Sequence, residues 1–459
     1  MLCKQNKSKM KRPVCTILCL VTMLGFAMVF VQQQWHPFKL KPLGGVAYAT
    51  QRPELSFANL ASGQYQSTAE QYSRENFGFR EWHIRLYNQV SHSLFNQTTN
   101  RFVVQGTDDY TLFEESYVIS YTGETYLGEE KINDNTQQIK LIQDMLRAKG
   151  TTLLPVFTLG KASFYPELIP EKYTANRRAT NNYQEYLKAF ENQGIEMIDF
   201  NQWLCGQKDR QAHPFYCNLS AHWTVYAASL AMDSLVHYME SKTQQTQAHF
   251  FIEDFDTTYL MDQDDDLYRM MNLMLPLKRN TIDQPKFGFT EGYRPKVLAI
   301  SDSYWWTVYA WNVALPQNLF SDGGFWFYNK TVYPERSPIQ NVESIDYKQE
   351  IENQDFVLLV CTEATNHLWP YGFIERYLSG YDNVFRYKQP EQYDAADSLY
   401  YNYRNTKIAS IIERIKATPE WIESVEKQAD EKGISLEQSL WDNAEYTYRM
   451  DIEPKGFVR

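Results

Sequence analysis

Apolar positions divide the 459-residue chain into three regimes. The first is Val14 to Val31, "VCTILCLVTMLGFAMVFV", 18 residues without a charge, preceded by Lys4, Lys7, Lys9, Lys11 and Arg12. A run of that length just spans a hydrocarbon core, and the flanking cations keep its N-terminal side in the cytoplasm. The expected layout is a basic cytoplasmic segment (1–13), a transmembrane anchor in the inner membrane (14–31) and a periplasmic tether (32–50). The tether holds two prolines, a glycine pair and no apolar period. The small-x-small triplet Ala47-Tyr48-Ala49 lies too far past the apolar run for usual signal-peptide processing, so the anchor reads as uncleaved.

The second regime, about 51 to 385, alternates helical period with solid apolar runs. Ile139, Ile142 and Leu146 share one helical face in "TQQIKLIQDMLRAKG", with Gly150 as the stop, and "TTLLPVFTL" follows as a strand. Asn181 to Gly194 predicts a second helix and Ile195 to Phe200 a second strand. Val225, Ala228, Met232, Leu235 and Met239 align on a helix that starts near Trp223. "KVLAI", a helix from Tyr304 and "DFVLLVC" (Asp355 to Cys361) complete the series. Apolar strands without strict alternation, separated by helices, predict a three-layer α/β/α fold around a mainly parallel sheet. Chemistry in such sheets lies beyond the C-terminal strand ends, here Thr158 to Lys161, Ser301 to Ser303 and Thr362 to Asn366.

The third regime, 386–459, reads as a charged helical tail. Thr418 and Pro419 open one helix that Gly433 closes, and "SLEQ" from Ser435 fits a capping box for another. Ile422, Val425 and Ala429 form its narrow apolar stripe, which packs on the main domain or on a partner.

Charge narrows the partners. The net charge of −11 includes the five cytoplasmic cations, so the exported part carries about −16, which argues against nucleic acid and strongly anionic surfaces. An oxidising compartment permits a Cys205–Cys217 bridge, whereas Cys361 reads as a buried small apolar residue. No CxxC pair or His/Cys cluster has metal-site spacing, and neither metal nor cofactor is expected. Aromatics at 15% suit sugar platforms but equally a large core with tyrosines at its margins.

The chemistry centres on "KVLAISDSYWW", Lys296 to Trp306. A serine directly after a buried parallel strand and before a helix exposes its oxygen and leaves its own N–H free for an oxyanion, although Ser and Asp also start helices as caps. His222, in "LSAHWT", precedes an amphipathic helix; by itself a histidine among aromatics is usually a packing residue. Lys161 follows a strand tip, either meeting an anionic group or solvated. Trp326, Tyr328 and Asn329 in "DGGFWFYNKTVYP" offer a sugar-binding or oxyanion-completing loop, against simple packing. Glu363 and Asn366 face a cleft by the strand-end argument alone.

Five segments, in order, resemble SGNH-hydrolase-like proteins of the alginate O-acetyltransferase family. They are "NFGFREWHIRLYNQVSHSLF", "VVQGTDDYTLFEESYVISYTG", "TLLPVFTLGKASFYPELIP", "LSAHWT" where the family has D-x-H-W, and "ISDSYWW" where it has G-D-S-[FY]. The resemblance covers roughly residues 50 to 385. It implies an SGNH-like fold and a periplasmic O-acetyltransferase that receives acetyl groups from a membrane-bound O-acyltransferase and places them on hydroxyls of an exported polysaccharide. Ser303 would be the nucleophile, its N–H part of the oxyanion hole, and His222 the base. Tyr304, Trp326 and Tyr328 would contact sugar. Two departures stand out: Ser220 occupies the place of the family's aspartate, and Ser301 that of its glycine. Asp302, Asp322 and Glu363 are carboxylates available to support His222 instead. An acetyl-esterase and a non-catalytic glycan-binding subunit are the alternatives.

Overall fold

The computed structural model describes residues 5–46, 50–257, 262–310, 314–334 and 340–453. The triplet 47–49, residues 1–4 and the side chains of 5–12 and Asp322 lie outside that set. The chain falls into two compact units: 1–105 with 265–278, and 106–264 with 279–459. The C-terminal tail therefore belongs to the second unit.

In the first unit, helix α1 (Gln5–Trp35) is long and apolar enough from Pro13 to Trp35 to cross a membrane. It outruns the expected anchor because nothing after Val31 breaks a helix until Pro37. Residues 36–46 are held rather than loose. Phe38 exchanges hydrogen bonds with the Gln32 side chain at 2.8 and 3.0 Å. Helix α2 (Arg80–Phe95) reaches the same segment through Arg85, which donates to the Lys41 and Pro42 carbonyls at 2.9 and 2.7 Å.

The second unit is built on a six-stranded sheet. Its strands are β1 (Thr152–Phe157), β2 (Ile198–Asp199), β3 (Lys296–Ser301), β4 (Asp322–Phe327), β5 (Thr331–Tyr333) and β6 (Phe356–Cys361), in spatial order β2-β1-β6-β3-β4-β5. Every pairing is parallel except β4–β5. The central strands are buried on both faces, as solid Val/Leu/Ile runs require. One face, with Leu153, Phe157, Leu298, Ile300, Val357 and Leu359, joins a core with helices α3 (Glu129–Ala148) and α4 (Asn182–Gln193). Asn181 caps α4 by accepting from Gln184 N–H, and left-handed Gly194 ends it. Helix α5 (Val225–Thr243) begins under the Thr224 cap, one residue past His222 and Trp223.

The tail consists of α6 (Phe373–Phe385), α7 (Ala395–Ala417), α8 (Pro419–Lys432) and α9 (Leu436–Asp451). Tyr400, Ile408, Val425 and Tyr448 are continuous with the core on the α3 side, so the stripe packs on the main domain. Three expectations change. Ile195 to Phe200 yields only the two-residue edge strand β2, since just Val156 and Phe157 are alongside to pair with it. "DGGFWF" is a sheet strand, not a loop. Its Gly324 packs closely on β3: a Cβ there would stand 3.1 Å from Leu298 Cδ1. Cys205 and Cys217 are both free thiols, not a disulfide.

Candidate active site

The parallel register sets the tips of β1, β6 and β3 side by side, since Phe157 pairs with Cys361 and Ile300 with Leu359. The chain leaves β3 through Asp302 and turns at once into a short helical turn, Ser303–Trp305. Asp302 caps that turn by accepting from Tyr304 N–H at 2.9 Å. Ser303, at the first position of the turn, keeps its side chain partly exposed while Ser301, Asp302, Tyr304 and Trp305 are buried.

His222 arrives on a loop closed by an isolated bridge between Tyr216 and Trp223. Its Nε2 stands 3.2 Å from Ser303 Oγ, although 81 residues separate the two in sequence. The Tyr304 ring lies behind the imidazole, centroids 5.5 Å apart. Its hydroxyl donates to the Ala221 carbonyl at 3.1 Å and pairs with the Tyr216 hydroxyl at 2.8 Å. Burial pushes both phenols up, so they remain protonated donors. Tyr304 is thus a floor beneath His222, not the sugar-contacting side chain expected.

Lys161 corrects both readings offered for it, anionic contact and solvated surface. It is fully buried and its Nζ donates to the carbonyls of Cys217 (3.0 Å), Asn218 (3.2 Å) and Ser220. Three N–H donors meeting three carbonyls fix the loop just before His222. Ser220 bonds the main chain: its Oγ accepts from His222 N–H at 2.9 Å, so it shapes the turn instead of orienting the ring.

Asp302 does not serve the imidazole either. Its Oδ2 accepts from Thr362 Oγ1 at 2.7 Å, Thr362 N–H at 3.3 Å, Tyr371 OH at 3.2 Å and the Thr365 hydroxyl. Those bonds clamp the β3 tip to the β6 tip. Ser301, in the glycine place, is fully buried, and its hydroxyl has no partner among the described residues. Glu363 is buried and accepts from Ser163 N–H at 3.2 Å and from its hydroxyl. Burial raises its pKa to about 7. It ties the β6 tip to the helix after β1, where a Cβ at Gly160 would collide with it.

The remaining candidates are core. Trp326 is buried against Tyr347, centroids 5.0 Å apart. Asn329 accepts from Tyr347 OH at 2.9 Å and donates to Tyr371 O at 3.2 Å. Tyr328 is buried edge-on to Tyr371. Asn366 is buried and accepts from Asn182 at 3.2 Å. Trp326 on β4, Tyr328 and Asn329 in the turn after it and Asn366 after β6 are all buried, so none of the four presents a face to sugar. Sequence reasoning missed Tyr216 and Tyr371, and it placed Thr362 and Thr365 at a strand end without foreseeing their bonds to Asp302. It also passed over a surface group in which Asp233, His237 and His249 bring ligand-type atoms within 4.8 Å of one another. There His249 Nε2 lies 3.2 Å from Glu240 and His237 Nδ1 bonds the Asp233 carbonyl.

The mostly parallel α/β architecture is that of the SGNH-hydrolase-like fold. Residues 103–279 match the family described as "SGNH hydrolase-like domain, acetyltransferase AlgX". The matched span includes His222 and ends before Ser303. Among solved structures, the chain is similar to the O-acetyltransferase domain of Pseudomonas putida AlgJ (18% identity, TM-score 0.40, covering 58% of this chain and 92% of that one). It is also similar to Pseudomonas aeruginosa AlgX (14%, 0.38, 58% and 65%) and Bacillus cereus PatB1 (10%, 0.35, 58% and 97%). No curated protein matches.

Proposed function

We propose that this protein transfers acetyl groups to hydroxyls of an exported polysaccharide through an acyl-enzyme on Ser303. The observation that carries the reading is the 3.2 Å approach of His222 Nε2 to Ser303 Oγ, both partly exposed, above a floor of buried side chains. Ser303 Oγ attacks the acetyl carbonyl while His222 takes its proton, and the donor's leaving group departs with that proton. A sugar hydroxyl then attacks the acyl-serine, His222 accepts its proton, and Ser303 leaves protonated. The Ser303 N–H, an orphan donor of a first helical turn, contributes to the oxyanion hole.

The donor in this reading is a membrane-bound O-acyltransferase. Helix α1 anchors the chain in the inner membrane with the catalytic unit in the periplasm. The five N-terminal cations and the uncharged stretch after them support that orientation. The test is to give the full chain in detergent an activated acetyl ester with and without an oligosaccharide. Acetylated sugar that disappears in Ser303→Ala upholds the proposal. Acetate released equally fast without acceptor makes the protein an esterase, and no Ser303-dependent turnover overturns both.

A further inference from the structure

Helix α2 has its polarity reversed. Facing inward, Asn88 is buried and donates to Met271 O at 2.8 Å, Arg85 binds the Lys41 and Pro42 carbonyls, and Gln89 accepts from Met274 and Leu275 N–H at 3.2 and 2.9 Å. Facing outward are Trp82, Leu86, Tyr87, Val90 and Leu94, which are 52, 54, 68, 41 and 72% exposed. Trp82, Leu86, Val90 and Leu94 recur every four residues, a single stripe along the whole helix. Met274, also exposed, lines one surface pocket with Trp82 at the head of the stripe. A continuous apolar surface of this kind marks a protein or membrane contact.

The position of α2 selects the membrane. Gly78, two residues before α2, approaches α1 so closely that a Cβ on it would collide with the Val29 carbonyl. Val29 lies inside the Pro13–Trp35 span, and Trp35, its last residue, is six residues further on, about 9 Å along the axis. The start of α2 is therefore level with the last turns of the membrane-crossing helix. That is the depth at which interfacial helices lie and at which Trp and Tyr are favoured. Local charge agrees: Lys39, Lys41, Arg80 and Arg85 outnumber Glu75 and Glu81 here, in a chain of net charge −11. Anionic headgroups suit that excess.

We infer that α2 lies in the outer headgroup layer of the bilayer that α1 crosses, its Trp82–Leu94 stripe turned toward the acyl chains. The inference rests on reading α1 as a retained anchor. Its test uses the full chain in vesicles of phosphatidylethanolamine with phosphatidylglycerol, with a benzophenone amino acid replacing Leu86, Val90 or Leu94 in turn. Leu24 of α1 and exposed Glu423 of α8 serve as controls. Lipid adducts on irradiation are expected at the three α2 sites and at Leu24, and none at Glu423. Lipid adducts at Leu24 without any at α2, or adducts from α2 to a second copy of the chain or to another protein, overturn the inference and leave the anchor standing. Adducts at α2 but not Leu24 uphold the surface helix and overturn the anchor.

Discussion

The two supports of the reactive pair use opposite charges for the same task. The nucleophile's turn is held by a carboxylate, Asp302, that collects hydroxyl and amide donors from the β6 side. The base's loop is held by an ammonium, Lys161, that feeds three carbonyls. Neither group touches the other half's reactive atom in the described contacts. In the proposed reading the chemistry falls to Ser303 and His222, while the ionisable groups around them act as fasteners. Buried charges are tolerated only when their hydrogen-bonding capacity is filled, and both are.

The comparison can be broken at its centre first. Ser303→Ala and His222→Ala are each expected to lower acyl turnover by at least about 10³-fold with little change in thermal midpoint, measured side by side. A midpoint that collapses would make these residues structural instead. Next come the fasteners. Lys161→Met removes three bonds from a buried ammonium and strands the Ser220 carbonyl, while the Cys217 and Asn218 carbonyls keep the Ser220 and Leu112 N–H groups; Asp302→Asn puts an amide donor among hydroxyls, and each is expected to cost about 2–4 kcal/mol in urea unfolding. If Lys161→Met leaves unfolding unchanged, the loop is held by something else.

Glu363 gives a smaller, pH-dependent effect. Its pKa is raised in the folded state from 4.5 to about 7, so the native form binds the proton more tightly than the unfolded chain. Stability from this group is present below about pH 4.5 and is lost as pH rises through 7, up to about 3 kcal/mol. Glu363→Gln is expected to flatten the stability profile between pH 5 and pH 8 relative to the parent; an unchanged slope refutes the assignment. Smallest is Ser220→Ala, which removes one turn bond and is expected to cost about 1 kcal/mol with turnover retained. A loss of turnover as large as that of His222→Ala would show that Ser220 orients the imidazole after all.

How much of this was legible in sequence follows from what each feature depends on. Strands β1, β3 and β6 and helices α3, α4 and α5 announced themselves because burial on both sheet faces forces unbroken apolar runs and caps mark helix ends. The strand-end rule and motif order, not any local signal strong enough alone, singled out Ser303 and His222, which the fold brings within 3.2 Å of each other. Strand β4 escaped because its glycine pair led the stretch to be read as a loop, whereas Gly324 lies close against Leu298 of β3. Lys161 escaped because a lone lysine is ordinarily solvated, and the three carbonyls that hold it lie 56 to 59 residues away. Likewise Thr365 and Tyr371 reach Asp302 only through the register of β3 against β6, which no short stretch encodes.

The Tyr304 hydroxyl on the Ala221 carbonyl joins the residue after the nucleophile to the residue before the base. Local opening at either end must break that link, so the two halves of the pair form one cooperative unit in the sense of hydrogen exchange. The amides of His222 and Tyr304 are then expected to exchange at a common rate, and to accelerate together in Tyr304→Phe. Under the proposed function, the geometry of the Ser303–His222 pair would then be gained or lost as one small folded patch.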